Sequence, residues 1–459
     1  MGESYDARAE LGNWSAPGYD TKTWATAVRA ETNPRVKAVY SDAAGQRDID
    51  LGFVAPPKMQ AYSAPPIIVT QELATKSVAE PKPGVFVFDL GQNFAGLVRL
   101  KIKRAAGTQV RLRFGKMLHK DGSIMTENLR QARATDFDTL RGDPAVETTP
   151  VEFIDTYFLA LDCMLMAEMA TALGRPLEAA TYRARRAKTH AAFTKTYAKP
   201  EGTLTVETQS AYVLALEAGL IAEKQIPATV ATLVAKIAKN DYRMATGFLG
   251  TKSLLPVLSN YGQHDLAVRL FQSRKFPSWG YEVSNGANSV WERWDSYTVE
   301  HGFNGANGKQ NSAMNSFSHY AFGAVMEWGY RVLAGIDTER AGYRNIVIMP
   351  RPPTPGSNPD QTPINWVKAH YDSINGRIAS AWKPEKGVFT LDVTIPANTT
   401  ASIFLPNATA ARTTEGGAPL GAIATAKIAG IRAVETAGDS LAVSVGAGTY
   451  RFAVRGAGP

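Results

Sequence analysis

The spacing of apolar residues changes twice along this chain, and this change constrains the fold more than any other feature. Before residue 150, apolar and charged residues alternate, as in LVRLKIKR (97–104) and VRLRF (110–114), which predicts two strands joined as a hairpin. From about 151, apolar residues recur at three- and four-residue steps, which predicts helices. After 345, short β-branched runs bounded by Pro, Gly and Asn return. The sequence therefore predicts β modules, a helical region and a C-terminal β-sandwich.

The helical region should form antiparallel hairpins, because short connections separate its predicted helices. The predicted helices span 152–174, 177–198, 208–224, 227–239, 250–260, 262–274 and 314–335. Hairpins in such a row build an α/α layer, either as a solenoid or as part of a toroid. The predicted domains are a partial N-terminal β module (1–62), a β-sandwich (63–147), the helical domain (148–344) and a C-terminal β-sandwich (345–459).

The connection between the last two predicted helices, roughly 275–313, is long for a compact domain, and such loops commonly serve binding or catalysis. Its stretch GANSVWERWD places the carboxylate of Glu292 between two indoles. Glycan-binding enzymes often combine a proton-moving carboxylate with aromatic faces that stack on sugar rings. The candidate stacking residues are Trp279, Trp291 and Trp294. The alternative is that these indoles pack in a core, while Glu292 forms a solvated ion pair with the arginine beside it.

Composition and charge argue against several other classes of protein. The net charge is +8, but the basic residues of the 459-residue chain are scattered, so we expect no nucleic-acid partner. The single cysteine, Cys163, and six widely separated histidines offer no metal-ligand spacing, so we expect neither a metal nor a cofactor. No apolar run approaches the roughly 18 residues of a membrane span. The first thirty residues lack the order of a signal peptide, which makes the cytoplasm the default expectation.

Six longer motifs follow one another along the chain. They are GESYDAR (2–8), VFDLGQNFAGLVRLKI (87–102), GTQVRLRFGKMLHKDGSIMTENLR (107–130), TGFLGTKSLLPVLSNYG (246–262), PSWGYEVSNGANSVWERWD (277–295) and NSFSHYAFGAVMEWGY (315–330). Together they resemble the bacterial α-L-rhamnosidases, an inverting family of glycoside hydrolases. The resemblance implies N-terminal β-sandwich modules, an (α/α)6 barrel that holds the active site, and a C-terminal β-sandwich. It also implies release of terminal α-L-rhamnose, with Glu292 as the general base and His319 in contact with the sugar.

The resemblance is incomplete in the first half of the barrel. The family has an earlier acidic motif around a Gly-Trp pair that carries the general acid, and this chain has no match to it. Instead QARATDFDTLRGDPAVE (131–147) leads directly into TTPVEFIDTYF (148–158), so we expect a partial barrel. Candidates for a substitute acid are Glu282 and Asp295, and Asp295 could alternatively orient Arg293 or bind a sugar hydroxyl.

A partial barrel leaves two further interpretations open. The chain could be a non-catalytic rhamnose-binding or vestigial protein, or one part of a split enzyme. Half of a helical toroid should expose apolar stripes where neighbouring helices would pack, which favours a homo-oligomer or a completing chain. The residues that we expect to be exposed are Phe153, Tyr157, Leu161, Val325 and Trp328.

Overall fold

The computed structural model describes residues 11–26, 35–42, 45–53, 68–94, 96–105, 108–125, 149–303, 305, 308, 315–421 and 428–456. The motif GESYDAR and the segment 131–147 lie outside these residues. The chain separates into two compact units, Met1–Leu73 and Ala74–Pro459. The first boundary therefore lies near residue 73, somewhat beyond the predicted position at 62.

The described part of the first unit contains an antiparallel hairpin. In it β1 (Arg35–Asp42) pairs with β2 (Gly45–Phe53). Closer to the N-terminus, the rings of Trp14 and Trp24 contact each other with their centroids 6.3 Å apart.

The second unit begins with another hairpin, formed by β3 (Ser77–Lys82) and β4 (Val85–Asp89). The prediction of strands over 97–104 and 110–114 is wrong for the described residues, which carry no strand in either range. Their alternating apolar side chains are exposed. Alternation indicates which face of a strand would be apolar, but a strand forms only when a neighbour satisfies its N–H and C=O groups.

The helical region follows, and it forms hairpins as predicted. Its described α-helices are α1 (Val151–Ala172), α2 (Pro176–Tyr197), α3 (Gln209–Glu217), α4 (Ile226–Lys239), α5 (Phe248–Asn260), α6 (His264–Phe271), α7 (Trp279–Ser284), α8 (Tyr320–Gly323) and α9 (Val325–Trp328). Helix α1 packs against α2, α3 against α4, and α5 against α6. Gly174 at φ +68° ends the first helix of the first pair, and Pro176 begins the second. Among the described residues, no helix is long and apolar enough to cross a membrane.

The core of this region surrounds α3, whose residues from Gln209 to Leu216 are all buried. Helix α1 faces this core with Phe153, whose ring lies 5.3 Å from that of Phe193 on α2. The prediction that five named apolar residues are exposed is therefore wrong. Four of them are buried, namely Phe153, Tyr157, Val325 and Trp328, and the fifth, Leu161, packs against the core. The exposed apolar residues of α1 lie on other sides of the helix and include Val151, Phe158, Leu159, Leu165, Met166 and Met169. The aromatic face of α1 therefore packs against the core of the helical region. A second apolar face of α1 is not covered by any of the described residues.

The C-terminal region is a β-sandwich. Its strands are β5 (Ile336–Thr338), β6 (Asn345–Ile348), β7 (Val367–Ser373), β8 (Gly376–Glu385), β9 (Val388–Ile395), β10 (Thr400–Pro406), β11 (Thr413–Glu415), β12 (Ala418–Pro419), β13 (Ile431–Ala437), β14 (Ser440–Val445) and β15 (Gly448–Arg455). One sheet has the order β13-β14-β10-β6-β5 and the other β12-β11-β15-β9-β8-β7. All pairs are antiparallel except β10 with β6, which are parallel. Alternate residues of both sheets fill one common core, as the strand patterns predict.

Hydrogen bonds, two of them fully buried, join the sandwich to the helical region. The indole N–H of Trp382 donates to the carbonyl of Leu333 at 2.6 Å, and the hydroxyl of Ser380 donates to the carbonyl of Ala334 at 2.7 Å. The guanidinium of Arg351 donates to the carbonyl of Ser259 at the end of α5, at 3.0 Å. The sandwich begins at β5, about ten residues before the predicted boundary.

Candidate active site

The connection between α7 and α8 folds back on itself, and we call its two paired segments, 289–292 and 315–319, the carboxylate loop. The N–H of Glu292 donates to the carbonyl of Ser316 at 2.8 Å, and the N–H of His319 donates to the carbonyl of Val290 at 2.9 Å. The hydroxyl of Ser289 also donates to the carbonyl of Phe317. Residues far apart in sequence are thereby held side by side.

The carboxylate of Glu292 is held by the same pairing. Its Oε2 accepts a hydrogen bond from the main-chain N–H of Ser316 at 2.7 Å, and the side chain is only partly buried. A catalytic base must be fixed in orientation and still reach water. The hydrogen bond to Ser316 fixes the Glu292 carboxylate, and its partial exposure leaves it in reach of water, so both conditions are met. A solvated ion pair, the alternative interpretation, would need neither.

The two indoles that flank this carboxylate lie in different cores. Trp291 is fully buried and packs with Phe317 at a centroid distance of 5.6 Å. Trp294 is 5% exposed and stacks on Phe322 at 3.8 Å. The structure therefore favours core packing for both residues, since an enclosed indole offers no face to a sugar ring.

Trp279 occupies an intermediate position. It is partly buried, its ring is perpendicular to that of Trp294 at 5.3 Å, and its N–H donates to the carbonyl of Phe322 at 3.0 Å. Stacking of a sugar on the remaining surface of Trp279 stays a prediction.

His319 lies in an aromatic row at the surface, and sequence reasoning missed the other members of this row. The imidazole is stacked on Phe248, 5.2 Å away, and on Tyr320, 6.2 Å away. Phe248 is 39% exposed and Tyr320 is 89% exposed. The only sequence signal for them was their presence inside the motifs TGFLGTK and NSFSHY. Through His319, the row offers stacking surface three residues beyond Ser316, whose N–H binds the Glu292 carboxylate.

Arg293 and Asp295, which follow Glu292 closely, point into the protein. Both are buried, at 8% and 4% exposure. Burial lowers the pKa of the Arg293 guanidinium, and the charges of Asp295 and Glu292 oppose this effect. Asp295 thus interacts electrostatically with Arg293, as one of the two predicted roles requires. Its burial leaves no direct access to a substrate in this conformation.

Glu282, the other candidate acid, is enclosed in α7 and is 3% exposed. Its Oε2 lies 3.5 Å from the N–H of Trp291, and its Oε1 has no hydrogen-bond partner in the structure. Burial raises the pKa of this carboxyl to about 8, so it holds its proton at neutral pH. A protonated carboxyl can act as an acid, but this one does not reach the surface.

Asn93 connects the β-rich segment before the helices to the carboxylate loop. Its Nδ2 donates to Oδ1 of Asn288 at 3.1 Å and to the hydroxyl of Ser289 at 2.8 Å. The motif DLGQNFAG therefore has an architectural role, because its Asn93 fixes the start of the carboxylate loop. Within the described ranges, no group of three or more His, Cys, Asp or Glu side chains is arranged to hold a metal ion.

Comparison with known families agrees with this geometry. Residues 112–333 match a model described as the bacterial alpha-L-rhamnosidase 6 hairpin glycosidase domain, which places the helical region among the hairpin-built glycosidase domains. Residues 335–418 match the C-terminal domain of the same proteins. The chain belongs to the bacterial α-L-rhamnosidase family. The fold class predicted for the helical region and the C-terminal β domain is thereby confirmed.

Individual relatives carry the same family name. An alpha-L-rhamnosidase of Streptomyces avermitilis is 28% identical over 597 residues, covering 88% of this chain and 54% of the relative. One of Formosa agariphila is 36% identical over 259 residues, covering 56% and 26%. The crystal structure of the Streptomyces avermitilis alpha-L-rhamnosidase complexed with L-rhamnose is similar with a TM-score of 0.58 and 37% identity, covering 67% of this chain and 27% of that chain.

The chain spans about half the length of the Streptomyces relative and about a quarter of the Formosa one. The Streptomyces alignment runs over 597 residues while using 88% of 459, so it passes a stretch of that protein with no counterpart here. The described helices form three hairpins, where the family model is named for six.

Proposed function

We propose that this chain hydrolyses terminal α-L-rhamnosides, with Glu292 as the general base. The observation that carries this proposal is the carboxylate of Glu292, oriented by the N–H of Ser316 and accessible on a loop that also places His319. The membership of the family and the similarity to a rhamnose-bound structure support the choice of sugar.

The chemistry of an inverting glycosidase assigns Glu292 one of two proton transfers. As the oxygen of a water molecule bonds to the anomeric carbon, the carboxylate of Glu292 takes a proton from that water. The bond between the anomeric carbon and the leaving oxygen breaks, and this oxygen needs a proton from a second group. Glu282 and Asp295 are both buried, so neither donates this proton in the present conformation.

A leaving group that is itself acidic needs little help from a protein acid. We therefore expect measurable hydrolysis of aryl α-L-rhamnosides and slower hydrolysis of rhamnosyl disaccharides, by about two to four orders of magnitude. Rates of a similar size on both substrates would show that a second carboxylate acts as the acid.

The test of the proposed base is Glu292→Gln, which preserves shape and removes the proton acceptor. Release of rhamnose from an aryl rhamnoside should fall by about a hundredfold or more, while the affinity for rhamnose stays within a few-fold. Glu223→Gln, an exposed carboxylate outside the site, serves as the matched control and should keep the parent rate. His319→Ala should instead weaken binding of rhamnose by about 1–3 kcal/mol, the cost of leaving a sugar hydroxyl in the occupied site without its hydrogen-bond partner.

A second candidate function is binding of rhamnose without turnover. It is favoured by the burial of both candidate acids and by the three hairpins of the described helical region. A parent protein that binds rhamnose but releases none from any aryl rhamnoside would support this function. If Glu292→Gln hydrolyses aryl rhamnosides at the parent rate, Glu292 is not the general base.

We also propose that two copies of the chain associate through the uncovered apolar face of α1. This face carries Phe158, Leu165 and Met169, which recur at steps of seven and four residues. Helix α1 contains four acidic residues and no Lys or Arg, whereas α2 contains five Lys or Arg and one acidic residue. A two-fold axis would place the acidic helix of each copy against the basic helix of the other, so the surface is complementary to itself. This favours a second copy over an unrelated completing chain.

A further inference from the structure

A cleft of about 640 Å³ lies between two turns, one over residues 117–125 and the other over 297–303. Main-chain hydrogen bonds close both turns. In the first, the N–H of His119 donates to the carbonyl of Ser123 at 2.8 Å. In the second, Thr298 and Gly302 exchange hydrogen bonds of 2.9 and 2.8 Å. The walls of the cleft are therefore held in shape by their own backbone.

The floor of the cleft is aromatic. The ring of Phe303 lies 5.3 Å from the imidazole of His119 and 5.0 Å from the ring of Tyr297. It also packs against Phe317 at 5.6 Å, which in turn packs against Trp291 at 5.6 Å. Phe317 follows Ser316, and Trp291 precedes Glu292. The cleft is therefore one aromatic layer away from the hydrogen bond that orients the proposed base.

Side chains that can form hydrogen bonds surround this floor, and they include positively charged, negatively charged and uncharged groups. They are His119, Lys120, Asp121, Ser123, Glu300 and His301. Neither positive nor negative charge dominates, so the cleft is suited neither to an anion nor to a cation. Aromatic surface combined with donors and acceptors matches a hydroxyl-rich ring, which is apolar on its faces and polar at its edge. The volume lies in the range of small-molecule sites.

We propose that this cleft binds a neutral sugar of the glycan that carries the terminal rhamnose. The proposal rests on the proposed function, because the terminal rhamnose is placed at Glu292. A glycan with its terminal rhamnose at Glu292 would pass around the buried rings of Trp291 and Phe317 to place a further sugar in the cleft. The cleft would then contribute affinity for longer substrates without contacting the reacting atoms.

The experiment uses the Glu292→Gln protein, in which hydrolysis of bound glycosides should be about a hundredfold or more slower. Its affinities for methyl α-L-rhamnoside and for neutral rhamnosyl-glucose oligosaccharides are measured by calorimetry. The best oligosaccharide should bind about three- to tenfold more tightly than the methyl glycoside, as one or two added hydrogen bonds allow. Adding His301→Ala or Lys120→Ala should remove this gain and leave the methyl glycoside affinity within about twofold. The exposed His370→Ala, in the C-terminal sandwich, is the matched control and should keep the gain.

Retained binding of the methyl glycoside shows that each variant is folded and that the rhamnose site is intact. Equal affinities for the methyl glycoside and every oligosaccharide would overturn the cleft proposal alone. A gain that survives both His301→Ala and Lys120→Ala would do the same. If neither class of ligand binds to the parent or to Glu292→Gln, the proposed function and the cleft proposal both fail.

Discussion

At the scale of single residues, Glu282 and Glu292 have opposite environments although they lie ten positions apart. Glu292 is partly exposed and accepts a short hydrogen bond from a main-chain N–H. Glu282 is enclosed, with one oxygen unpartnered and the other 3.5 Å from the nearest donor. Residue type alone could not separate a carboxylate suited to accept a proton from one that retains its own.

The raised pKa of Glu282 should make stability depend on pH. Burial raises its pKa from 4.5 to about 8, so between these values the folded protein holds a proton that the unfolded chain has released. The free energy of unfolding therefore falls as pH rises through this window, by about 4 kcal/mol at most. Glu282→Gln removes the titrating group, so the variant should lose less stability than the parent between pH 5 and pH 8.

Chemical denaturation at pH 5, 6.5 and 8 measures this difference. Glu223→Gln replaces an exposed carboxylate and should follow the parent at every pH. Parallel pH dependence of the parent and Glu282→Gln would mean that Glu282 is ionised in the folded protein.

At the scale of elements, the carboxylate loop is closed by a pair of buried polar residues. Ser296 donates through its hydroxyl to Oδ1 of Asn315 at 2.6 Å, and Nδ2 of Asn315 donates to the carbonyl of Ser296 at 3.0 Å. Both residues are buried. This pair joins Asn315, at the start of one paired segment, to Ser296, four residues beyond Glu292, in a stretch that has no regular secondary structure.

Asn315→Ala should therefore affect both stability and turnover. It leaves the buried carbonyl of Ser296 without its amide donor, which should lower the free energy of unfolding by about 1–3 kcal/mol. Because the loop positions the proposed base, hydrolysis of an aryl rhamnoside should fall at temperatures where the protein remains folded. Ser318→Ala, at an exposed position in the same segment, is the control and should change neither quantity. If Asn315→Ala is destabilised but fully active, the Ser296–Asn315 pair does not position Glu292.

At the scale of the whole molecule, the uncovered face of α1 is the interface of the proposed dimer. Because apolar contact and opposite charges should both contribute, sedimentation should show a dimer that weakens as salt is added. Leu165→Lys places a charge in the apolar stripe and should shift the protein to monomer without lowering its melting temperature. Ile374→Lys changes an equally apolar residue that is 90% exposed in the C-terminal sandwich, and it should leave the dimer intact. A concentration-independent monomer in the parent would exclude this interface.

Local pattern was sufficient for much of the fold. Three- and four-residue spacing located α1, α2, α4, α5 and α6 within about three residues, and alternation located most strands of the sandwich, because each element buries one face against a core. Helix α3 ends seven residues before the predicted position at 224, and the single helix predicted over 314–335 is wrong at its start, where 315–319 belong to the carboxylate loop. The unusual composition of WERWD and NSFSHY, read through a family resemblance, was enough to single out Glu292 and His319. The strands expected over 97–104 and 110–114 failed because their pairing depends on partners that alternation does not specify.

Tertiary structure alone decided which face of each element is covered and which polar groups meet. The sequence by itself determined that α1 is apolar on more than one side, but only packing showed that Phe153 and Tyr157 are buried while Phe158 and Leu165 are exposed. It placed Trp291 beside Glu292, but only the fold showed the indole enclosed and the carboxylate accessible. The physical reason is the same in each case. Local periodicity reports which side chains prefer to leave water, whereas burial depends on residues distant in sequence that arrive to cover them.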